Sequence, residues 1–128
     1  MRLFIVLLAL FSSSSFAYDL KASVVRVVDG DTIIVNIHEW PPEIGEDMRV
    51  RLANIDAPEM KGKCVEAALK AKRFLKFIEG KEVVLKNVNK GKYFRLVGDV
   101  WYGGVDMGEL MVDMGYVVRY GEGSCKDE

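Results

Sequence analysis

Three short stretches gather the side chains with chemical capacity: Val28-Asp29-Gly30-Asp31-Thr32, Arg51-Leu52-Ala53-Asn54-Ile55-Asp56-Ala57-Pro58-Glu59 and Lys92-Tyr93-Phe94-Arg95. Their carboxylates offer hard oxygen ligands and proton acceptors. Their guanidinium groups offer a permanent charge and paired donors for an oxyanion. A zinc site lacks ligands, because His38 is the single histidine and the two cysteines, Cys64 and Cys125, form no CxxC. Taken one at a time, each stretch also reads as structure. Asp-Gly is a routine hairpin turn, and Asp56 with Glu59 three residues on has the spacing of a capping box. Arg51 and Arg95 could be strand residues paired with neighbouring carboxylates.

The flanks of these stretches indicate the elements that must position them. Val24 to Val28 is β-branched and runs into Asp29-Gly30, and Thr32 to Ile37 alternates with Ile33, Val35 and Ile37 on one side; together they read as a hairpin. Glu39 to Asp47, with Pro41, Pro42 and Gly45, reads as a loop, and His38 beside it as an ordinary loop residue. Met48 to Ile55 alternates again as a third strand, stopped by Pro58. The period then becomes helical from Cys64 to Glu79, with Cys64, Ala68, Ala71, Leu75 and Ile78 on one stripe and Gly80 in the position of a C-cap. Glu82 to Val88 and Arg95 to Trp101 are a fourth and a fifth strand. Met107 to Met114 is a short helix ended by Gly115, and Tyr116 to Tyr120 a last extended segment. The string is mainly β with helices (α+β). It fits an OB-fold, a five-stranded Greek-key barrel with a helix between strands 3 and 4 and a short helix after strand 5. A small α+β sandwich would give a similar string. Nothing suggests a repeat or a second domain.

The first residues have the pattern of a secretory signal peptide. Arg2 precedes an apolar run, Leu3 to Phe11, and Ser15 and Ala17 have small-x-small cleavage spacing. The run is less than half of the ~20 apolar residues needed to span a membrane. The expected organisation is therefore a signal peptide over 1–17 and one domain over 18–128, exported to periplasm or medium, monomeric and with no stable membrane association after cleavage. The net charge of −1 becomes one unit more negative once Arg2 is removed. Such a chain has no global field drawing it to a polyanion, which argues against a protein that coats nucleic acid non-specifically. Export makes a Cys64–Cys125 bridge between a helix start and the C-terminal tail possible; two free thiols are the alternative.

Taken together, and in this order, the three stretches resemble the signatures of the staphylococcal nuclease (thermonuclease) family: an Asp-Gly-Asp-Thr turn, an Arg-Leu-x-x-x-Asp-x-Pro-Glu strand end and a Lys-Tyr-x-Arg strand start. The resemblance runs from about Val24 to Tyr120. It implies a calcium-dependent endonuclease that hydrolyses DNA and RNA and leaves 3′-phosphate ends. Position by position, it implies Asp31, Asp56 and the carbonyl of Ala57 as Ca²⁺ ligands, Glu59 as the group that deprotonates or orients water, Arg51 and Arg95 on the scissile phosphate, and Lys92 and Tyr93 on the nucleotide beyond. The chemistry agrees. Calcium accepts 6–8 oxygen ligands and two aspartates leave room for water and phosphate, while guanidinium groups suit charge growing on non-bridging oxygens.

The chain departs from the family pattern in four places. Ala57 replaces a frequent threonine, which keeps the carbonyl and loses a hydroxyl. Phe94 stands where many members have glycine, and is expected to stiffen the approach to Arg95. The Glu59–Cys64 segment is short, leaving Lys61 and Lys63 as candidate phosphate contacts or solvated lysines. The chain also ends soon after Tyr120; Tyr116 and Tyr120 are candidates for base stacking or for the barrel edge. One geometric demand follows: in an extended strand Arg51 and Asp56 would lie roughly 17 Å apart, so a shared site requires that strand to bend. Two rival functions remain. A non-catalytic OB-type module binding single strands or protein would have no need of all five of Asp31, Arg51, Asp56, Glu59 and Arg95. A calcium-stabilised structural domain would have no need of both arginines.

Overall fold

The computed structural model describes residues 19–126. The proposed signal peptide and its cleavage site lie outside those residues. No helix among them is long and apolar enough to cross a membrane.

Strands β1 (Leu20–Asp29), β2 (Thr32–Ile37), β3 (Met48–Leu52), β5 (Glu82–Lys90) and β6 (Arg95–Tyr102) form a closed ring. The order β3-β2-β1-β5-β6 is sealed by a parallel β3–β6 pairing. The fold is thus the mainly-β OB-like barrel with helices that the alternation implied. Closure leaves no long unpaired edge among these strands. Register shifts between Val24 and Arg26 and between Val27 and Asp29 let β1 coil, so that it pairs with β2 along its length and with β5 at its start. Val24, Ile33, Val35, Val50, Leu85 and Val100 point inward and are 0–2% exposed. Burying each such side chain contributes about 1.5–3 kcal/mol.

Helix α2 (Val65–Leu75) closes one side of the barrel and is extended at both ends by short 3₁₀ turns, Gly62–Cys64 and Lys76–Ile78. Its buried stripe is the expected one: Cys64, Ala68, Ala71, Leu75 and Ile78 are all at most 1% exposed. The alanines allow close approach. A Cβ on Gly30 would lie 2.7 Å from Ala71 Cβ and 3.1 Å from Ala57 Cβ. Gly30 is therefore required by packing of the hairpin turn against α2 rather than by its backbone angle. Gly80, at φ +75°, does end the helical segment in the left-handed conformation.

Several elements differ from their sequence reading. The 39–47 loop contains a helical turn, α1 (Pro42–Gly45). His38 does occupy a turn, but it is tied down: its Nε2 lies 2.8 Å from Ser23 Oγ and 3.0 Å from Glu82 Oε2, which joins the ends of β1, β2 and β5. The expected third strand, Met48 to Ile55, is two strands. β3 ends at Leu52, Asn54 adopts φ +65°, and β4 (Ile55–Asp56) leaves the barrel to pair with β8 (Val118–Arg119) in a separate sheet. A further two-residue strand, β7 (Val105–Asp106), precedes α3 (Met107–Asp113). Asp106 caps that helix by accepting from the Gly108 and Glu109 backbones. No helix starts at Asp56: residues 57–59 have no regular structure, and the 3₁₀ turn that follows begins at Gly62.

Cys64 and Cys125 are joined in a disulfide, with their Cα atoms 5.7 Å apart. It spans 61 residues of chain, worth about 4 kcal/mol in a chain-entropy account of the unfolded state.

Candidate active site

The break in the strand at Ala53-Asn54 builds the site. By turning the chain between β3 and β4, it brings Asp56 back beside Arg51, and the separation of an extended strand disappears: Arg51 Nη2 lies 3.3 Å from Asp56 Oδ1. The same nitrogen lies 3.7 Å from Asp31 Oδ2, and Nη1 donates to the Leu52 carbonyl at 3.2 Å. Asp31 comes from the β1–β2 turn. Its carbonyl accepts from Leu52 N at 2.8 Å, and its Oδ2 accepts from Ala57 N at 3.0 Å. The buried Thr32 hydroxyl donates to Asp31 Oδ1. Arg51, Asp31, Asp56 and Ala57, drawn from two distant stretches, thus form one hydrogen-bonded cluster with Arg51 and Asp31 side chains only 15% and 13% exposed.

Arg95 joins the same outer face of the barrel. In the parallel β3–β6 ladder Arg49 faces Arg95 and Arg51 faces Val97, while the intervening Val50 and Leu96 point to the core. This places the Arg51 and Arg95 α-carbons about 8 Å apart across two neighbouring strands. The Arg95 stem lies close against Gly91, where an added Cβ would meet Arg95 Cγ at 2.9 Å. Its Nε is buried without a hydrogen-bond partner among the described residues. A buried guanidinium N–H left unpaired is costly, and an anion is the partner that suits it. Lys92 and Tyr93 lie in the exposed connection just ahead of Arg95, with Tyr93 and Phe94 at φ +58° and +55° and 89% and 97% exposed. Glu59 is half-buried in the segment after β4, and its backbone N–H donates to the Cys125 carbonyl at 3.0 Å.

One residue of this site, Asp29, was given no role from the sequence, and Tyr120, a stacking or barrel-edge candidate, proves to face Arg51. Asp29 accepts from the Asp31 backbone at 3.0 Å. Its carboxyl is pushed up from 3.8 to about 6, first by burial and then by hydrogen bonding and repulsion from the Asp31 carboxylate. The Asp-x-Asp spacing across the turn carried that signal. Tyr120 lies with its ring 5.7 Å from the Arg51 guanidinium carbon, a cation–π placement. By contrast Tyr116 stacks on Phe74 at 4.7 Å, a barrel-edge role.

Asp29, Asp31 and Asp56 bring three formal negative charges against one guanidinium. This excess, together with the all-oxygen donor set, fits a hard divalent cation. Among the described residues no three acidic, histidine or cysteine side chains are grouped tightly enough to ligate one ion unaided. A cation held here would draw on backbone carbonyl, water and substrate oxygens as well.

A family model described as staphylococcal nuclease homologue matches residues 49–128. The chain belongs to the staphylococcal nuclease family. An Escherichia coli O157:H7 protein named as an uncharacterised endonuclease is 34% identical over 120 residues, covering 90% of this chain and 71% of that one. The ParB protein of Escherichia coli is 36% identical over 83 residues, 65% of this chain and 42% of its own. An uncharacterised Bacillus anthracis protein is 33% identical over 108 residues, 78% and 48% of the two chains. Membership makes the protein a nuclease, with nucleic acid as its substrate. The family match begins within β3, and the Asp31 turn, which precedes it, contacts Arg51 and Ala57 within it.

Proposed function

We propose that this nuclease is a calcium-dependent endonuclease that hydrolyses phosphodiester bonds of DNA and RNA and leaves 3′-phosphate ends. The observation that carries the reading is the pairing on one barrel face of Arg51, held by Asp31 and Asp56, with Arg95, whose buried Nε has no partner among the described residues. Bound calcium would neutralise a non-bridging phosphate oxygen and hold water near the phosphorus. Asp31, Asp56 and the Ala57 carbonyl are its protein ligands in this reading. Arg51 and Arg95 donate to the phosphoryl oxygens as negative charge grows on them. Glu59 accepts the proton of the attacking water or aims it, and Lys92 and Tyr93 contact the neighbouring nucleotide. The bond to the 5′ oxygen breaks, which leaves the phosphate on the 3′ side.

Arg51 has carboxylate and carbonyl partners without any substrate, which supports this reading. Catalysis gains most from such fixed donors. Export to the periplasm or medium and a monomeric state belong to the same reading. The Cys64–Cys125 disulfide supports the former, since such bonds persist in oxidising compartments.

The test is cleavage of a 5′-labelled single-stranded oligonucleotide, with mass analysis of the new ends. We expect cuts within the strand and 3′-phosphate termini. Products with 3′-hydroxyl ends, or release of single nucleotides only from a terminus, would require a different reaction at this site.

A further inference from the structure

Glu59 stands in a stretch that neither sheet holds. Residues 57–61 pair with no strand, and helical structure resumes only at the Gly62–Cys64 turn. The stretch is tied at three points. At its start, Ala57 N donates to Asp31 Oδ2. In the middle, Glu59 N donates to the Cys125 carbonyl. At its end stands Cys64, fully buried and bonded to the same Cys125. The middle tie therefore depends on where Cys125 is placed. Its tail, 124–126, has no regular secondary structure and follows left-handed glycines Gly121 and Gly123 at φ +87° and +81°. The last backbone hydrogen bond before it is Glu122 N to Arg119 O. Beyond that point, the disulfide and the Glu59 hydrogen bond are what tie the tail among the described residues. The tail also walls a cavity of about 180 Å³ shared with Asp56, Pro58 and Tyr116, so it lies directly against the acidic side of the site.

We propose that the Cys64–Cys125 disulfide is a positioning device for the reaction. By fixing the Cys125 carbonyl it fixes the Glu59 backbone, and so the place of the Glu59 carboxylate relative to Arg51 and Asp56. The inference rests on the reading that Glu59 acts on the attacking water. A disulfide that served only as a stability staple would lower the melting midpoint and leave turnover of the folded enzyme unchanged. A positioning disulfide sets kcat. Misplacing a reacting group by about 1 Å costs on the order of 100-fold. Strand binding, which falls to the arginines, Lys92 and Tyr93, is untouched.

The experiment compares wild type, C64S/C125S, E59A and the triple variant on a single-stranded oligonucleotide with calcium, well below each melting midpoint. Expected for C64S/C125S is a kcat about 10- to 100-fold lower, with KM within about 2-fold of wild type, since uniform binding is unaltered. In the E59A background, removing the disulfide is expected to cost nothing further, because two changes acting through one group are not additive. Unchanged kcat in C64S/C125S, or the same fractional loss with and without Glu59, overturns the proposal while leaving the nuclease reading intact. If E59A itself turns over like wild type, the role given to Glu59 is wrong and the proposal falls with it. Hydrogen exchange on the unaltered protein is decisive even where the serine variant does not fold. The Glu59 amide is expected to be protected in the disulfide-bonded protein and to exchange at least about 10-fold faster once a dithiol has reduced the bond. An amide that exchanges at the rate of an unstructured chain before reduction contradicts the proposal.

Discussion

At the scale of single residues, the site depends on what each charge faces. Arg51 is half-buried among oxygen acceptors, and Arg95 has a buried N–H with none among the described residues, so neither guanidinium is replaceable by an ammonium point charge. R95K and R51K are each expected to lower kcat by about 10²–10³, the loss seen when one preorganised donor is removed from an oxyanion site. Steady-state kinetics with a circular dichroism spectrum matching wild type checks this; full activity in R95K would remove Arg95 from the chemistry. Asp29 gives a second test. Its folded value, about 6, lies above its unfolded one, so the proton is bound more tightly in the folded protein. That contribution to stability is complete below about pH 4 and is lost as pH rises through 6. In chelator, D29N is therefore expected to gain stability over wild type between pH 5 and 7.5. The gain is on the order of 1 kcal/mol, or a few degrees in melting midpoint, and calcium should reduce it. An equal pH dependence in both proteins would mean that Asp29 carries no such shift. The identities of Asp31, Arg51, Asp56, Glu59 and Arg95 were legible as motifs. The buried Nε of Arg95 and the burial that raises Asp29 were not, because only packing creates them.

At the scale of elements, the helix α2 stripe was legible residue by residue, since a 3.6-residue period survives whatever the helix packs against. The third strand was not. Met48, Val50 and Leu52 alternate with Arg49 and Arg51, but the pattern lapses at Asn54; there the chain turns left-handed and β4 joins β8, a pairing partner more than sixty residues away that local pattern does not reveal. That break is what unites Arg51 with Asp56. The glycines show the same limit. Gly30 reads as a turn residue, but its role is to admit Ala71. G30A is expected to destabilise by about 1–3 kcal/mol through overpacking, and G30A/A71G to recover most of it in a thermal melt. Failure of the second change to rescue would place the constraint in the turn. Gly91 likewise makes room for the Arg95 stem and for Val97. G91A is expected to lower turnover about 10-fold by shifting Arg95 while moving the melting midpoint by only a few degrees. A large stability loss with normal turnover would contradict that role.

At the scale of the whole molecule, the barrel acts as a rigid frame. Closing β3 against β6 places the two arginine-bearing stretches side by side, and the β1–β2 turn brings Asp31 against Arg51. The order of elements carried the OB-like fold, because five alternating strands and an intervening helix have few ways to bury both faces. The parallel closure carried no local signature, and neither did the tie of the tail to the start of α2. A mildly acidic chain with net charge −1 cannot hold a polyanion by its overall field. On this account the local arginines and a bound cation supply the grip, and both rival functions lack one of the two. The most direct measurement is therefore cleavage of single-stranded DNA by wild type and E59A in calcium and in excess chelator. The account expects wild type to cut in calcium, to fall to background in chelator and to recover when calcium is restored, with E59A folded but slower by orders of magnitude. Undiminished cleavage by wild type in chelator, or by E59A in calcium, would contradict it.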